Sequence, residues 1–264
     1  MGKKRDHQKK ERKSAMKEEK SPLRQINIRV WFLPAEEETD RPVLGYVWGD
    51  RWSLQIDAGA SPAHVEKFRR ALAQQGLAAP SLAVLTHWHW DHTFGLDALG
   101  CPALACQKTQ EALERVSRWA WTEEAMARRL ETGEEIPFCD QHIRREYPNL
   151  QAIQVRPADM VFEKSLTLDL GGITAQVLEL PATHSPDSVI VVLPELRFAF
   201  LGDAVCGDFY GLDGAYDPER LRQMIDALEE LPFDRCITGH GSPEDKASLL
   251  RELREEAGLA PGKA

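Results

Sequence analysis

The sequence predicts an α/β fold in which a strand–helix–strand unit occurs twice. Strand-like and helical patterns alternate after Pro34. In the first half, Asp57 ends a strand, a helical pattern follows, and the next strand leads to His87. In the second half, Asp203 and His240 occupy the corresponding places. Because functional sites are usually built where strands end in loops, we expect these polar side chains to meet at one edge of the fold.

The predicted elements of the first half are three strands, a helix and a fourth strand. Apolar and polar residues alternate in the strands, and the helix begins where serine can cap its first turn and proline fits the first helical position. In chain order these elements are a strand at 26–32, strands at 43–48 and 52–56 joined by a turn at Gly49-Asp50, a helix from Ser61-Pro62 to Gly76, and a short buried strand at 82–85.

Residues 107–150 form a predicted helical insertion. The segment is charged, rich in helix-forming residues, and carries Trp119 and Trp121. It is too long for a connecting loop. Two interpretations remain open: a lid over a site, or surface helices that complete the core.

Strand patterns return after residue 160. Glycines supply a tight turn between the first two strands, and Asp217 can cap the helix that follows the fourth. These predicted elements are strands at 165–170, 173–180, 188–193 and 197–201, a helix from Asp217-Pro218, a short strand at 236–238, and a terminal helix that begins at Ser242-Pro243.

The composition limits the classes of protein to which this chain can belong. Its 264 residues, 42% of them hydrophobic, suffice for one large domain or two modest ones. No run of about 18 apolar residues occurs, and no apolar run follows the charged N-terminus, so we expect neither a membrane span nor a secretory signal. Five scattered cysteines argue against a disulfide framework and favour the cytoplasm.

Residues 1–24 differ in charge from the rest of the chain. They hold ten Lys/Arg and four Asp/Glu, a net charge of +6, so the remainder carries −15. With few apolar side chains this segment cannot bury itself, and we expect a basic arm, disordered or helical, before a domain at 25–264. We interpret the arm as a solubilising tail rather than a contact for nucleic acid, because the acidic remainder makes nucleic acid an unlikely main partner.

The most unusual segment is Thr86-His87-Trp88-His89-Trp90-Asp91-His92. Imidazole and carboxylate groups at this density are typical of metal ligands, zinc or a similar divalent ion. His87 and His89 are two residues apart and point to one side of an extended segment, whereas Asp91 and His92 lie where a helical turn starts. A corner that presents four ligands in two directions favours two metal ions, because one tetrahedral zinc would not accept four adjacent ligands and keep a catalytic position open.

Further ligands must come from other segments. His184, Asp203 and His240 each lie at a strand end beside small, turn-forming residues, and we propose them as candidate ligands. His64 is expected to be exposed in the first turn of a helix. His142 follows Cys139 in a lone Cys-x-x-His, which is weak evidence for a metal site because structural zinc needs four ligands.

These motifs resemble those of the metallo-β-lactamase-fold hydrolases, a superfamily that includes glyoxalase II-like enzymes and lactonases. Residues 87–92 stand as its His-x-His-x-Asp-His signature. The other motif positions follow in the family's order: Asp57 after a strand, His184, Asp203 in Gly-Asp-Ala, and His240 in Gly-His-Gly. The resemblance covers the chain from about Ile26 to its end, and it is specific for the superfamily rather than for a substrate.

The resemblance implies a four-layer αββα sandwich, here with a helical insertion, and a site at one edge. It implies a first metal site from His87, His89 and His184. It implies a second from Asp91, His92 and His240, with Asp203 bridging the two. Asp57 would hold the signature loop rather than bind metal. The loop after His184 departs from the Gly-His-Thr-x-Gly of many relatives, since it is stiffened by Pro186 and carries the extra acid Asp187.

The expected activity is that of a dinuclear zinc hydrolase; manganese or iron would also suit such ligands. A metal-bound hydroxide would attack a small-molecule ester, thioester or lactone, with Asp91 orienting the water. Tyr210, in the loop after Asp203, is a candidate proton donor or oxyanion contact. The alternatives are a phosphodiesterase on the same scaffold, a single-iron thiol (persulfide) dioxygenase, and a metal-stabilised nucleic-acid-binding module. No pattern indicates an oligomeric state.

Overall fold

The computed structural model describes residues 21–259. Within this range the strands form two sheets. Sheet one contains β1 (Arg24–Asn27), β2 (Val30–Leu33), β3 (Leu44–Trp48), β4 (Ser53–Ile56), β5 (Leu82–Val84), β6 (Ala103–Cys106) and β7 (Met160–Phe162). Sheet two contains β8 (Ser165–Asp169), β9 (Thr174–Glu179), β10 (Val189–Leu193), β11 (Phe198–Gly202), β12 (Arg235–Thr238) and β13 (Glu244–Asp245).

The helices lie between and after these strands. They are α1 (Pro62–Gln74), α2 (Trp90–Thr93), α3 (Gln107–Val116), α4 (Glu123–Thr132), α5 (Pro137–Glu146), α6 (Pro218–Glu230) and α7 (Lys246–Glu256). No helix of the described range is both long and apolar enough to cross a bilayer.

Each sheet changes from antiparallel to parallel pairing along its order. Sheet one runs in chain order from β1 to β7, antiparallel as far as β4 and parallel from β4 to β7. In sheet two, β8 to β11 pair antiparallel, and β11 pairs parallel with β12. Because parallel neighbours need a crossover connection, α1 links β4 to β5 and α6 links β11 to β12. The repeated strand–helix–strand unit predicted from the sequence is confirmed.

The two sheets pack face to face, and helices cover both outer faces. Between the sheets lies the largest apolar cluster, which includes Val47 and Val84 from sheet one and Val191 and Phe200 from sheet two. Val65, Phe68 and Leu72 of α1 are buried on the outer face of sheet one. Apolar residues of α6 and α7 are buried on the outer face of sheet two: Leu221, Met224, Ile225, Leu228, Leu249 and Leu253. The four-layer αββα sandwich is therefore confirmed.

The strand predicted at 26–32 is in fact a hairpin. β1 and β2 pair antiparallel, and the chain reverses at Ile28-Arg29. The side-chain Oδ1 of Asn27 accepts hydrogen bonds from the backbone N–H groups of Arg29, at 2.9 Å, and Val30, at 3.0 Å. This local competition with strand pairing is a known property of asparagine, and it leaves Ile28 74% exposed.

One further prediction was wrong, and two strands were not predicted. The terminal helix begins at Lys246 rather than at Ser242-Pro243, because Glu244 and Asp245 first pair with β12. β6 and β7 were not predicted; β6 is a fully buried four-residue run without alternation.

The helical insertion is confirmed as α3, α4 and α5. Its apolar side chains pack on the signature segment, with Met126, Cys139 and Ile143 in one cluster with Trp90 and Phe94. Thr122 caps α4 by accepting from the backbone N–H of Ala125 at 3.2 Å. The insertion therefore completes a core of its own against the edge of the fold where the signature lies.

Most of the predicted basic arm lies outside the described residues. The last residues of that segment belong to the folded part, since Leu23 is 5% exposed and β1 begins at Arg24. Ser21 donates a hydrogen bond from Oγ to the backbone carbonyl of Ala71, at 3.1 Å.

Candidate metal centre

The signature segment turns from extended backbone into a short helix. β5 ends at Val84, His87 and His89 follow in the connection, and α2 begins at Trp90. Thr93 holds this corner, because its Oγ1 donates to the backbone carbonyls of Trp88 and His89. The corner separates the two histidines before it from Asp91 and His92 on α2, as the spacing predicted.

Two groups of potential metal ligands converge at the corner. Within each group the nitrogen or carboxylate oxygen atoms lie within 4.8 Å of one another. The groups are His87, His89 and His184, and Asp91, His92, Asp203 and His240. The structure therefore brings together all seven residues that the sequence indicated as ligands.

Asp203, a member of the second group, also lies close to the first. Its Oδ2 is 3.7 Å from Nε2 of His184, 3.5 Å from Nε2 of His92 and 3.5 Å from Nε2 of His240. His184 belongs to the first group, and its Nε2 is also 2.9 Å from Nδ1 of His89. A carboxylate at this place can contact cations held by either group.

Buried polar atoms without partners indicate what the site can hold. Nε2 of His87, Nε2 of His92 and Oδ1 of Asp203 are buried and make no hydrogen bond within residues 21–259. Such atoms are costly unless something satisfies them. Imidazole nitrogen and carboxylate oxygen atoms at this density suit a divalent cation, so the residues fit a metal-binding role.

Asp57 anchors the signature segment from beneath. Its Oδ1 accepts from the backbone N–H of Thr86 at 2.7 Å, and its Oδ2 accepts from Oγ1 of Thr86 at 3.0 Å. Oδ2 also lies 2.8 Å from Nδ1 of His92. Since the Thr86 hydroxyl gives its proton to Asp57, it accepts from Nδ1 of His87, at 3.1 Å. Both histidines then hold a proton on Nδ1 and direct Nε2 toward the site, and any proton on Nε2 must leave before that nitrogen can bind a metal.

The other histidines are oriented by different partners. His184 donates from Nδ1 to the backbone carbonyl of Gly207, at 2.9 Å. Nδ1 of His240 faces Oδ1 of Asp40 at 3.6 Å, while Nε2 of His240 lies 3.1 Å from Oδ2 of Asp91. Asp40 ends a 3₁₀ turn in the left-handed region, with φ of 56°. Sequence reasoning missed Asp40, because nothing local distinguishes it from the other acids at 36–40.

Two histidines of the first group, His87 and His89, are neutral near pH 7. Burial, together with the imidazoles of His92 and His89, holds the pKa of His87 well below its ordinary value. Burial and the nearby His184 lower the pKa of His89 to about 3. Neutral imidazole is the form that binds a metal.

The second group is charged. Burial disfavours protonation of His92, but Asp91, Asp57 and Asp203 outweigh it and raise the pKa of His92 well above its ordinary value. Asp203 and Asp91 likewise overcome burial and raise the pKa of His240 to about 10. The same pairs hold the pKa values of Asp91 and Asp203 well below their ordinary range despite burial. A cation that binds here must displace protons from histidine.

Position 239 requires glycine, because the chain that follows β12 passes very close to Asp203. A Cβ at this position would lie far inside van der Waals contact with Oδ1 of Asp203, and 2.9 Å from Cε1 of His92. The Gly-His-Gly motif therefore places His240 and leaves room for Asp203 in the same turn.

Asp187 links the signature segment to the loop that carries His184. Its Oδ2 accepts from the backbone N–H of Trp88 at 2.9 Å and from Oγ1 of Thr109 at 2.8 Å. Ser185 donates to its Oδ1. The extra acid noted in the sequence thus joins the loop, the signature segment and the first helix of the insertion, rather than facing the ligand atoms.

A pocket of about 280 Å³ opens onto the ligand atoms. Its polar side is formed by Asp40, His89, Asp91, His184, Asp203 and His240. The rest of its lining is formed by Ile136, Phe138 and Cys139 of the insertion and by Cys206, Phe209 and Tyr210 of the loop after β11. Of the two interpretations of the insertion, both hold: it completes a core and also covers one side of the pocket.

Tyr210 packs against the first group of ligands. Its ring centroid is 5.1 Å from that of His89 and 5.6 Å from that of Trp88. Its hydroxyl donates to Oε1 of Glu135, at 2.8 Å, and burial raises the pKa of Tyr210 well above its ordinary value. Glu135 is only 4% exposed and was not singled out in the sequence, where it resembles its charged neighbours.

Two histidines outside the ligand groups, His64 and His142, form hydrogen bonds with the backbone. The expectation that His64 is exposed was wrong: its relative exposure is 0%. It accepts from the backbone N–H of Ala60 through Nδ1, at 3.3 Å, because the first turn of α1 faces the signature loop rather than solvent. His142 lies on α5, and its Nδ1 donates to the carbonyl of Phe138 at 2.8 Å.

Sequence comparison places this geometry in a family. A family model described as the metallo-beta-lactamase superfamily matches residues 47–240. An atrochrysone carboxyl ACP thioesterase from Aspergillus fumigatus is 24% identical over 195 residues, which are 72% of this chain and 47% of that protein. The match thus extends over about half the length of this curated relative.

Solved structures share the fold. A metallo-beta-lactamase from Pontibacter korlensis has a TM-score of 0.62 and 19% identity, covering 90% of this chain and 99% of that one. The stereoselective inverting sec-alkylsulfatase Pisa1 from Pseudomonas sp. has a TM-score of 0.61 and 19% identity, covering 89% of this chain and 40% of that one. Because the family model matches most of the chain and the site gathers histidine and aspartate side chains that could hold metal, this protein belongs to the metallo-beta-lactamase superfamily.

Proposed function

We propose that this protein is a dinuclear zinc hydrolase of a small ester, thioester or lactone. The observation that carries the proposal is the division of seven convergent side chains into two groups with Asp203 between them. His87, His89 and His184 would hold one ion. Asp91, His92 and His240 would hold the other, and Asp203 would contact both. A single structural ion would leave part of this donor set without a partner.

Bound divalent ions would lower the pKa of a coordinated water to about 7 and polarise the substrate oxygen. The chain's own residues prepare the place for this chemistry. Asp57 fixes the tautomer and direction of His92, and Asp40 faces the outer nitrogen of His240. Asp91 lines the pocket with a carboxylate held in its ionised form, so it can orient a water molecule beside the ligands.

A neutral carbonyl substrate fits the pocket better than a phosphodiester does. Of the residues that line it in the described part of the chain, none is lysine or arginine, and three are aspartates. Apart from the proposed ions, a phosphate would meet no cationic side chain in the described part of this pocket. The thioesterase relative supports the same choice. A single-iron dioxygenase would use fewer ligands than are gathered here.

Tyr210 is the proposed contact for the leaving group. Its hydroxyl donates to Glu135, so it can reach a substrate only after that hydrogen bond breaks. Tyr210→Phe distinguishes contact with the leaving group from a purely structural hydrogen bond to Glu135. A lower kcat with an unchanged metal content supports contact with the leaving group. Unchanged kinetics would show that the Tyr210 hydroxyl takes no part in the reaction.

The experiment that tests the proposal is a panel of hydrolysis assays on protein of measured metal content. Thioester, lactone, phosphodiester and β-lactam substrates are compared with wild type, His87→Ala and Asp203→Asn. Asp226→Asn, an exposed position on α6, is the matched control. We expect thioester or lactone turnover that falls by at least about 100-fold in the site variants and stays unchanged in the control. Turnover of the phosphodiester alone would contradict the proposal.

A further inference from the structure

We propose that the pocket selects an apolar acyl group of limited length, held between Phe138 and Phe209. This inference rests on the proposed hydrolase function and specifies its substrate class. It concerns the side of the pocket that faces the ligand atoms, to which the metal-ligand motifs assign no role.

The two sides of the pocket differ in chemistry. The candidate ligands present carboxylates and imidazoles, whereas the apolar part of the lining presents Ile136, Phe138 and Phe209 together with the ring of Tyr210. The acyl carbonyl must approach the ligand side to be hydrolysed. The remainder of the acyl group then extends along the apolar side. The apolar lining offers no hydrogen-bond partner to an acyl group that carries its own carboxylate, so burial of that charge would be costly.

Phe138 and Phe209 still expose half of their surface. Phe138 is 53% exposed and Phe209 is 51% exposed, although both line the pocket. A buried apolar ligand would remove much of this surface from water, and burial of apolar surface is favourable. The ring centroid of Phe209 is 6.2 Å from that of His184, so the apolar surface begins directly beside the ligand atoms.

Both rings are carried by ordered supports. Phe138 lies in the first turn of α5, whose Cys139 and Ile143 are buried in the insertion's core. Phe209 lies in a loop closed by the bridge between Asp208 and Ala215. In that loop Oδ1 of Asp208 accepts from the backbone N–H groups of Tyr210, at 3.1 Å, and Gly211, at 2.7 Å. A rigid apolar wall can discriminate length, because it does not adapt to a longer chain.

The pocket volume sets the length that fits. A volume of about 280 Å³ accommodates about nine groups of the size of a water molecule, at roughly 30 Å³ each. An acyl chain of about eight carbons would fill it. Each methylene that becomes fully buried should raise kcat/KM by up to about fourfold, and longer chains should gain nothing more.

The test measures kcat/KM for a series of straight-chain acyl thioesters of N-acetylcysteamine, from acetyl to dodecanoyl. In wild type we expect kcat/KM to rise with chain length to about eight carbons and then level off. In Phe138→Ala and Phe209→Ala, we expect the octanoyl-to-acetyl ratio to fall by about tenfold. A succinyl thioester should be a poorer substrate than the butanoyl thioester.

Trp52→Ala is the matched control, because Trp52 is an aromatic side chain of 52% exposure on the turn before β4 and does not line the pocket. Its octanoyl-to-acetyl ratio should equal that of wild type. Metal content is measured for every variant, so that a misfolded protein is recognised. Hydrolysis that is independent of chain length, or a ratio unchanged in both phenylalanine variants, would overturn the apolar selection alone. Absence of thioester and lactone hydrolysis in metal-loaded wild type would overturn the proposed function, and the selection with it.

Discussion

Oδ2 of Asp57 lies 2.8 Å from Nδ1 of His92, at the base of the signature segment. The same carboxylate accepts two hydrogen bonds from Thr86, and Asp57 itself has a positive φ of 62°. The three buried contacts of this side chain fix both the loop and the direction of His92. They also stabilise the left-handed backbone conformation of Asp57, which is rare for a residue other than glycine.

Replacement of Asp57 by asparagine should weaken metal binding at the second group. The amide cannot accept from Nδ1 with the strength of a carboxylate, and changes of this kind typically lower metal affinity by about 10–100-fold. Competition with a chromophoric chelator measures the dissociation constant of each of the two bound ions. An affinity equal to that of wild type and of Asp226→Asn would contradict the role assigned to Asp57.

Replacement of Asp187 by alanine should destabilise the fold near the site. The change removes acceptors for the buried donors of Trp88, Thr109 and Ser185, at a cost of about 2–4 kcal/mol in the free energy of unfolding. Thr109→Val, which removes one of these bonds, should cost about 1 kcal/mol. Urea denaturation of metal-free protein measures both, and equal stability of Asp187→Ala and wild type would contradict the linking role assigned to Asp187.

Metal binding at the second group should depend on pH more steeply than binding at the first. His92 and His240 are protonated at neutral pH, the latter with a pKa of about 10, so a cation must release their protons. Raising the pH therefore favours binding, by up to about tenfold per pH unit for each proton released. His87 and His89 are already neutral between pH 6 and 8 and should release none.

Calorimetric titration in buffers of different ionisation enthalpy measures how many protons the protein releases when each ion binds. His240→Ala should reduce the number released at the second group. Proton release of equal size at both groups would contradict the assignment of charges.

Buried His64 should make the protein less stable in acid. Burial, reinforced by Arg41 and Lys67, lowers its pKa to about 3. Between its ordinary pKa of about 6.5 and the folded value, only the unfolded chain binds this proton, so the free energy of unfolding falls as the pH falls. The loss is up to about 1.4 kcal/mol per pH unit. His64→Gln should have a shallower slope between pH 6.5 and 4.5, and an identical slope would show that His64 is protonated in the folded protein.

The ligand residues could be predicted because they are chemically unusual where they stand. Three histidines and one aspartate within residues 87–92, and an acid or histidine at each of several strand ends, have no explanation in packing. Asp40, Phe138 and Phe209, which line the pocket, carry no such signal, because segments distant in sequence form the pocket. Glu135 carries none either, since its role depends on Tyr210, 75 residues away. His64 was mistaken for an exposed residue, since its burial depends on the packing of α1 and not on its helical position.

The fold was predicted best where apolar periodicity extends over a whole element. It was predicted worst where a single side chain determines the direction of the backbone. The strand–helix–strand units follow from apolar periodicity. The hairpin of β1 and β2 depends on Asn27, whose side chain reverses a segment that otherwise alternates like one strand. β6, four buried residues, is too short for periodicity to distinguish from a helix segment.

The central claim is that two divalent ions share Asp203, and metal stoichiometry tests it most directly. Purified wild type and Asp203→Asn are dialysed against zinc and analysed for metal per chain, with Asp226→Asn as the control. We expect two zinc ions per chain in wild type and in the control, and at most one in Asp203→Asn. One ion per chain in wild type, or two retained by Asp203→Asn, would contradict the claim.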